Sequence, residues 1–452
     1  MKVTAVLLAA GQGTRMKSDL PKVLHPLAGK PMLWHTLQAL KWATTEKPVV
    51  IVGHGAGQVI EFVEDAATCV LQEPQLGTGH ASLQAKPLLL GKSDYVIVTY
   101  ADMPLLRGEA FQQLVETQRK NRGPISMLTV IADDPRGFGR IVRKDDGTVA
   151  AIVEEFVATP EQKAIKELNV GAYCFSADWL WDALGRVRLS PKGEYYLTDT
   201  VELAAKDGLP VQALIHDNLQ ETIGINTRIH LAEADAAMRQ RINQDLMLAG
   251  VSMIDPASTY IEAGITIGKD TIVMPNTYIQ GDTKIGERCE IGPNAHIRNS
   301  QIGNGCKVFM AVMESARLED DVDIGPFARL RKGAHLMEHA HMGNFGEVKD
   351  STLGPGVKMG HFSYIGNANI GANTNIGAGT ITCNYDGVKK NPTEIGEDVF
   401  IGSDSMLVAP LKIGDRSRTG AGAVVTKDVP EDTLVVGMPA RAIRKLEKRD
   451  SD

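Results

Sequence analysis

Several features that define whole classes of protein are scarce in this sequence of 452 residues. The five cysteines are isolated from one another, at positions Cys69, Cys174, Cys289, Cys306 and Cys383. Their odd number and wide spacing argue against a disulfide framework or a structural zinc site and favour a reducing compartment. Apolar runs long enough to cross a bilayer are absent, and the apolar start ends after a few residues. We therefore predict a cytoplasmic protein without a signal peptide.

Basic residues are also fewer than acidic ones. The chain carries 48 Lys and Arg against 55 Asp and Glu, which gives a net charge of −7 at pH 7. An acidic field disfavours both nucleic acids and anionic membranes, so we expect neither as a partner. Phosphorylated small molecules would then need basic residues placed locally. The length predicts two or three domains.

The first half alternates short apolar runs with helical stretches. Continuous apolar runs predict buried strands, at Val3 to Leu8, Pro48 to Val52, Tyr95 to Thr99 and Ile125 to Ile131. Helices are expected between them, at Pro31 to Ala43 and Ala110 to Lys120. This alternation predicts a doubly wound α/β domain over residues 1–226, with its ligands at the carboxyl ends of the strands.

The second half follows a different period. A helix rich in Ala, Leu and Met is expected over residues 227–250 as a linker. Beyond it an aliphatic residue recurs at every sixth position, at Ile261, Ile267, Val273, Ile279, Ile285, Ile291 and Ile297, and the pattern resumes later along the chain. A period of six is typical of a hexapeptide-repeat, left-handed parallel β-helix. We assign it to residues 251–452, which end in a basic tail.

The first predicted strand leads into a glycine-rich turn with basic residues close by. Gly11 and Gly13 could bring backbone N–H groups close to phosphate oxygens, and Arg15 and Lys22 could neutralise a triphosphate. The alternative is that these glycines form an ordinary turn without a phosphate-binding role. Asp102 follows another buried strand, where a carboxylate suits Mg²⁺ but could equally cap a turn.

The hexapeptide pattern is interrupted between Ile381 and Ile395 by a polar, aromatic and basic segment. Such an insertion must leave the coil as a loop, and loops of this kind often carry the function of a solenoid. His361 lies upstream in a polar stretch. A histidine alone on a repeat protein is more often a solvated side chain than a base, and the whole β-helix could be only an oligomerisation scaffold.

Taken together, the motifs resemble those of the sugar-1-phosphate nucleotidyltransferases, and over essentially the whole chain those of the bacterial bifunctional N-acetylglucosamine-1-phosphate uridyltransferase/glucosamine-1-phosphate N-acetyltransferase family. The most specific motifs are L-A-A-G-Q-G-T-R-M, P-K-V-L-H, Q-L-G-T-G-H, G-E-Y-Y-L-T-D, G-P-F-A-R-L-R, N-I-G-A-G-T-I-T-C-N-Y-D-G and I-G-S-D. The resemblance implies two reactions. Acetyl-CoA acetylates glucosamine 1-phosphate, and UTP then uridylylates the product to give UDP-N-acetylglucosamine, a precursor of peptidoglycan and other cell-envelope glycans.

The resemblance also implies the residues of the uridylyl-transfer site. The residues expected to bind UTP are Leu8, Ala9, Ala10, Gly11, Gly13, Arg15, Lys22, Gln72, Gly77 and Thr78, with Arg15 and Lys22 also catalytic. Asp102 and Asn226 are expected to hold Mg²⁺. The residues expected to bind N-acetylglucosamine 1-phosphate are Gly139, Glu154, Asn169, Tyr196 and Thr198.

A second set is implied for acetyl transfer. His361 corresponds to the catalytic base, and Glu347 to the residue that orients it. The residues expected to bind glucosamine 1-phosphate are Arg331, Lys349, Tyr364, Asn375 and Lys390. The residues expected to bind acetyl-CoA are Asn384, Tyr385, Ser403, Ala421 and Arg441. The resemblance further implies a homotrimer whose acetyl-transfer site is shared between neighbouring β-helices.

Two departures from the family pattern stand near the first site. Ala101 replaces the usual glycine before Asp102, and Phe156-Val157 replace a charged Lys-Asp pair. Two alternatives to the bifunctional enzyme remain at this stage. One is a monofunctional nucleotidyltransferase with an oligomerising β-helix, which would have no reason to keep His361. The other is a non-catalytic regulatory homologue, which would be expected to have lost Asp102, Arg15 or Lys22.

Overall fold

The computed structural model describes residues 1–445, so part of the predicted basic tail, residues 446–452, lies outside the described residues. The chain forms two compact units, Met1–Met238 and Arg239–Asp452. The division falls within the predicted linker helix. Over the described part of the chain, no helix combines the length and apolar character needed to cross a membrane.

The first unit contains a mixed sheet of nine strands and a separate two-stranded sheet. Its strands are β1 (Val3–Leu8), β2 (Pro26–Leu27), β3 (Lys30–Pro31), β4 (Val49–Val52), β5 (Thr68–Leu71), β6 (Tyr95–Tyr100), β7 (Ile125–Ile131), β8 (Arg140–Arg143), β9 (Val149–Val153), β10 (Glu167–Ser176) and β11 (Val211–Ile215). Its helices are α1 (Met32–Leu40), α2 (Ala56–Val63), α3 (Thr78–Leu83), α4 (Lys86–Leu89), α5 (Gly108–Lys120), α6 (Pro160–Lys163), α7 (Ala177–Arg186) and α8 (Asp199–Lys206).

The strand order of the larger sheet is β11-β7-β10-β6-β1-β4-β5, and a β8–β9 hairpin attaches beside β10, while β2 pairs only with β3. β10 runs antiparallel to its neighbours β6 and β7, whereas β1, β4, β5 and β6 are parallel. Two apolar clusters cover the opposite faces of the sheet. Burial on both faces explains why β1 is apolar along nearly all its length, and it confirms the predicted doubly wound domain.

The helix boundaries differ from the predicted ones by a few residues. The helix α1 ends at Leu40 rather than Ala43, while α5 starts two residues earlier than predicted, at Gly108. The linker helix, α9, runs over Arg228–Leu248. Helix ends commonly fray in this way, because terminal backbone groups lack intrahelical partners.

The second unit is a prism with three faces of parallel strands. Face 1 contains Ser252–Met253, Ile272–Val273, Glu290–Ile291, Lys307–Val308, Asp323–Ile324, His341–Met342, Lys358–Met359, Asn375–Ile376, Phe400–Ile401, Arg418–Thr419 and Thr433–Gly437, and ends in the antiparallel strand Ala440–Lys445. Face 2 contains Tyr260–Ile261, Tyr278–Gln280, His296–Arg298, Val312–Glu314, Arg329–Leu330, Gly346–Lys349, Ser363–Gly366, Ile381–Cys383, Met406–Val408 and Val424–Val425. Face 3 contains Thr266–Ile267, Lys284–Ile285, Gln301–Ile302, Arg317–Leu318, Ala334–Leu336, Ser351–Leu353, Ala368–Ile370, Thr393–Ile395 and Leu411–Ile413.

The hexapeptide period sets the register of this prism. Ile261 pairs with Ile279, which in turn pairs with Ile297, so that each aliphatic residue stacks on its equivalent one coil away. All three side chains are at least 98% buried in one continuous core. This packing explains the six-residue period and confirms the predicted left-handed parallel β-helix.

Candidate active sites

A cavity of about 430 Å³ opens at the carboxyl ends of β1 and β6 in the first unit. Its lining includes predicted UTP-binding residues from separate segments, namely Leu8, Ala9, Ala10, Gly11, Lys22, Gln72, Gly77 and Thr78. Asp102, one of the two predicted metal ligands, also lines it. Arg15 lies on the exposed turn after Gly13. The strand order therefore gathers at one sheet edge residues that are far apart in sequence.

Gly13 permits a close approach that a larger residue would prevent. Its φ is +64°, and a Cβ atom added there would lie 2.7 Å from Cβ of Lys22. L-residues adopt this backbone region only at a cost. Gly13 thus lets the glycine-rich turn lie against the segment that carries Lys22.

We expect Gly13→Ala to lower kcat/KM for nucleotidyl transfer by about ten-fold or more, because the left-handed backbone costs an alanine about 1–2 kcal/mol and the methyl displaces Lys22. Gly91→Ala is the matched control, since Gly91 has a φ of +70° and open space around an added Cβ. It should retain full activity in a steady-state pyrophosphate-release assay. Equal losses in the two variants would contradict the role of the Lys22 contact.

The two predicted metal ligands share a cation in this structure. The Lys22 ammonium forms an ion pair with the Asp102 carboxylate and donates a hydrogen bond of 3.0 Å to Oδ1 of Asn226. A positive charge between a carboxylate and an amide oxygen indicates that these two groups stabilise a cation. Ala101, next to Asp102, is fully buried, so its extra methyl is accommodated within the core.

Three of the residues expected to bind UTP, which the family resemblance assigns to the uracil edge, form a hydrogen-bonded turn, the base-reading turn: Gln72, Gly77 and Thr78. Nε2 of the buried Gln72 donates to the Gly77 carbonyl at 3.0 Å, and Oγ1 of Thr78 accepts from the Leu197 N–H at 3.0 Å. Gly77 has a φ of +93°, and a Cβ there would lie 2.7 Å from the carbonyl oxygen of Tyr195. This turn is therefore held tightly against the segment around residue 195.

The residues predicted to bind the sugar phosphate also lie together. The Asn169 N–H donates to the Gly139 carbonyl at 2.9 Å, and Oγ1 of Thr198 donates to Oε1 of Glu154 at 3.1 Å. A Cβ atom on Gly139 would lie 3.8 Å from Oε2 of Glu154. Tyr196 precedes Thr198 by two residues on the same segment. These contacts bring together residues from four separate segments of the chain.

Burial raises the pKa of the Glu154 carboxyl group, and the nearby charge of Glu194 adds to the effect, while the hydrogen bond from Thr198 opposes it. If the ionised carboxylate accepts hydrogen bonds from sugar hydroxyls, kcat/KM for the sugar phosphate should fall on acidification through a pKa above the ordinary value of about 4.3. Glu154→Gln should lose this acid limb. The substrate's own phosphate titrates in assays of both the wild type and Glu154→Gln, so it cannot account for a difference between them. Identical pH profiles of the two proteins would contradict the assignment of Glu154 to sugar binding.

Four polar lining residues were given no role by the sequence analysis: Gln12, Gln75, Tyr100 and Glu194. The pKa of Tyr100 is raised, first by burial and then by the negative charges of Glu154 and Asp102, so Tyr100 lies near a predicted sugar ligand and near a predicted metal ligand. Its ring packs against Gly171, where an added Cβ would lie 2.5 Å from Cε2. Tyr100 ends an apolar strand, and no motif distinguishes it from a core residue.

In the second unit, several residues predicted to bind glucosamine 1-phosphate meet on face 2. Nη1 of Arg331 donates to Oε1 of Glu347 at 2.9 Å, and Glu347 pairs in register with Tyr364. The pKa of Lys390 is lowered because the amine of Lys349 lies beside it. Two neighbouring ammonium groups and a guanidinium indicate a site suited to an anion.

Glu347 contacts a partner other than the expected one. It was predicted to orient His361, but among residues 1–445 its hydrogen bond is with Arg331 and none joins it to His361. The orienting role of Glu347 therefore stays a prediction. His361 is exposed, and a methyl added at the preceding Gly360 would meet no atom within 4 Å. The backbone beside the imidazole thus borders open space.

The register of face 1 aligns His361 with two predicted acetyl-CoA residues. Lys358, Asn375, Phe400 and Arg418 pair in succession, so the residues three positions after them occupy the same turn of successive coils. Those residues are His361, Ala378, Ser403 and Ala421. Coils are stacked roughly 4.8 Å apart, so small side chains form a track that rises from His361. Asn375 lies on face 1 itself, and Arg441 is exposed on its last strand.

The interruption of the hexapeptide pattern forms a loop, as predicted, between the strands Ile381–Cys383 and Thr393–Ile395. Nδ2 of the buried Asn384 donates to Oδ1 of Asn367 at 2.7 Å, whereas Tyr385 is 61% exposed. Backbone N–H groups of Val388 and Lys389 donate to Asp386, and these bonds with that of Asn391 lower its pKa to about 2. These hydrogen bonds brace the loop, in which Lys390 lies beside Lys349.

Each of the two units matches a known family. Residues 5–165 match the MobA-like NTP transferase domain, and residues 264–299 and 392–427 match the bacterial transferase hexapeptide family of six repeats. The fold and the two sites therefore define a nucleotidyltransferase domain joined to a hexapeptide-repeat transferase domain.

The chain belongs to the family of the bifunctional GlmU proteins. It is 44% identical to the bifunctional protein GlmU of Pelobacter propionicus over 447 residues, covering 98% of this chain and 97% of that protein. It is 46% identical to that of Syntrophomonas wolfei, covering 96% and 97%, and to that of Lactococcus lactis strain IL1403, covering 99% and 97%. The prediction of a bifunctional enzyme with uridyltransferase and acetyltransferase activity is confirmed.

Proposed function

We propose that the first unit transfers uridylyl groups from UTP to N-acetylglucosamine 1-phosphate at the cavity below Gly11 and Gly13. The sugar phosphate oxygen attacks the α-phosphorus of UTP, a new P–O bond forms, and pyrophosphate leaves. A phosphate dianion is already a nucleophile, so catalysis depends on positioning and charge neutralisation. Backbone N–H groups of the glycine-rich turn, with Arg15 and Lys22, would hold the phosphates. Gln72, Gly77 and Thr78 would read the uracil.

The site also fits Mg²⁺. The Asp102 carboxylate and the Asn226 amide oxygen are ligands of the kind that this ion takes, and their shared contact with the Lys22 ammonium supports a cation position there. When bound, Mg²⁺ would neutralise phosphate charge. Glu154, Asn169 and Thr198, which lie together near Gly139, would orient the sugar.

The second unit acetylates glucosamine 1-phosphate. Arg331, Lys349 and Lys390 would bind its phosphate, since the lowered pKa of Lys390 marks a cluster of cations that an anion would stabilise. His361 would take a proton from the amine as the nitrogen attacks the acetyl carbonyl and the thiol of coenzyme A leaves. The track of Ser403 and Ala421 above His361 supports a path for the coenzyme.

A homotrimer would complete this second site. Three phenylalanines occupy one corner beside His361, namely Phe327, Phe345 and Phe362, and they are 56%, 60% and 56% exposed. The rings of Phe327 and Phe345 stack with centroids 5.2 Å apart. An exposed apolar ladder is typical of a surface covered by another chain. The trimer predicts a mass in solution three times that of the chain, measured by light scattering, and a monomer should not transfer acetyl groups.

The observation that carries the proposal is the pair of sites, each with its own anion-binding cations. The purified protein should release free thiol from acetyl-CoA when given glucosamine 1-phosphate, and pyrophosphate when UTP and Mg²⁺ are added. Release of pyrophosphate from supplied N-acetylglucosamine 1-phosphate without any release of thiol would instead assign the β-helix a scaffold role.

A further inference from the structure

The turn that carries Glu154 is held by two successive side chains. The Val157 N–H donates to the Glu154 carbonyl at 3.1 Å, which defines a tight turn over residues 154–157. Below it, Oε2 of Glu155 lies 2.5 Å from Nη2 of Arg140, whose side chain is 99% buried. Phe156 then projects outward and is 49% exposed.

Phe156 contacts a loop from a different part of the chain. Nζ of Lys192 lies 3.3 Å from the centroid of its ring, the geometry of a cation–π interaction. The ring of Tyr196 is 6.2 Å away, centroid to centroid. Val157, the next residue, is also exposed at 60%, but its aliphatic side chain has no ring to offer a cation. The contact is therefore specific to Phe156.

Lys192 belongs to a loop that reaches the nucleotide end of the cavity. The Gly193 N–H donates to the Ser190 carbonyl at 2.9 Å, which closes a turn around Lys192. Two residues later, the Tyr195 N–H donates to the Leu76 carbonyl and the Tyr195 carbonyl accepts from the Gly79 N–H, both at 2.8 Å. The loop is thus hydrogen-bonded to the base-reading turn on one side and contacts Phe156 on the other.

We propose that Phe156 is a positioning residue for the sugar phosphate, which fixes the Glu154 turn by holding the Lys192 ammonium on its ring. This rests on the proposed function of the first unit. The ring closes a continuous set of contacts from the base-reading turn, through the loop of Lys192, to Glu154. Glu154 is thereby held in place to accept hydrogen bonds from the sugar, while the ring itself takes no part in the chemistry.

The contact energy sets the size of the expected effect. An exposed cation–π pair corresponds to about a two- to five-fold change in an equilibrium constant. Phe156→Ala and Phe156→Leu should therefore raise KM for N-acetylglucosamine 1-phosphate by about that factor. The KM for UTP and kcat should be unchanged, because the loop of Lys192 keeps its own hydrogen bonds to the base-reading turn, and the phosphate cradle and Asp102 are not touched. Phe156→Trp should retain wild-type values, since indole is the better partner for an ammonium.

The test combines these variants with Lys192→Met in a double-mutant cycle. The double variant should have the same KM as either single variant, because both remove one contact. Val157→Ala is the matched control, and acetyl transfer by the same preparations reports the integrity of the second unit. A wild-type KM in Phe156→Leu, or additive effects in the cycle, would overturn the positioning role. If the wild-type protein fails to turn over N-acetylglucosamine 1-phosphate with UTP, the proposed function fails instead.

Discussion

The His361→Ala variant should lose acetyl transfer by about 10²- to 10⁴-fold, the range that general-base catalysis supplies. The loss should appear mainly in kcat, because the cations that bind the phosphate, Arg331, Lys349 and Lys390, are left in place. The rate of acetyl transfer is measured as the release of free thiol from acetyl-CoA in the presence of glucosamine 1-phosphate. Uridylyl transfer from supplied N-acetylglucosamine 1-phosphate should be unaffected in the same preparation.

A second histidine on the β-helix provides the control. His341 is partly exposed on face 1, and its Nδ1 lies 3.1 Å from Oδ2 of Asp323. His341→Ala removes a similar side chain from the same kind of repeat without touching the turn of His361. It should keep acetyl transfer near the wild-type rate. An equal loss in His341→Ala would indicate damage to the β-helix and would contradict a base at His361.

Asp102→Asn should lower uridylyl transfer by about 10²- to 10³-fold, the loss expected when a preorganised charge at a reacting phosphate is removed. The substitution keeps the volume of the side chain but removes the charge that pairs with Lys22. Pyrophosphate release from UTP measures the loss. Thiol release in the acetyl-transfer assay should be unchanged.

A surface aspartate of the same unit is the matched control. The side chain of Asp133 is 90% exposed and pairs with Lys166 at 2.7 Å. Exposed pairs of this kind contribute little to stability. Asp133→Asn should therefore leave both activities intact. Uridylyl transfer by Asp102→Asn at the rate of Asp133→Asn would contradict the assignment of Asp102 to the site.

Local patterns predicted the fold well because both halves repeat a simple rule. Strands buried on two faces are continuously apolar, so Val3–Leu8 and Ile125–Ile131 were located to the residue. The six-residue period of the second half requires stacked aliphatic side chains, and Ile279 and its equivalents form that stack. The ends of α1 and α5 were less accurate, since helix termini depend on tertiary contacts.

The candidate sites were predictable only in part. Gly13 and Lys22 belong to a recognisable motif, and the sheet edge brings them to Asp102. By contrast, Tyr100 ends an apolar strand, and the sequence does not distinguish it from a core residue. The contact of Phe156 with Lys192 joins positions 36 residues apart in two loops. Long-range contacts between irregular segments leave no period in a sequence, so these residues required the structure.

Complementation tests the central claim, that two independent sites on one chain make UDP-N-acetylglucosamine in sequence. His361→Ala and Asp102→Asn proteins would each be given glucosamine 1-phosphate, acetyl-CoA, UTP and Mg²⁺, separately and mixed. Each alone should form little of the nucleotide sugar, and the mixture should form it readily. The second protein would supply N-acetylglucosamine 1-phosphate, and the first would uridylylate it. If the mixture is as inactive as the separate variants, the two reactions do not reside in separate sites and the account is wrong.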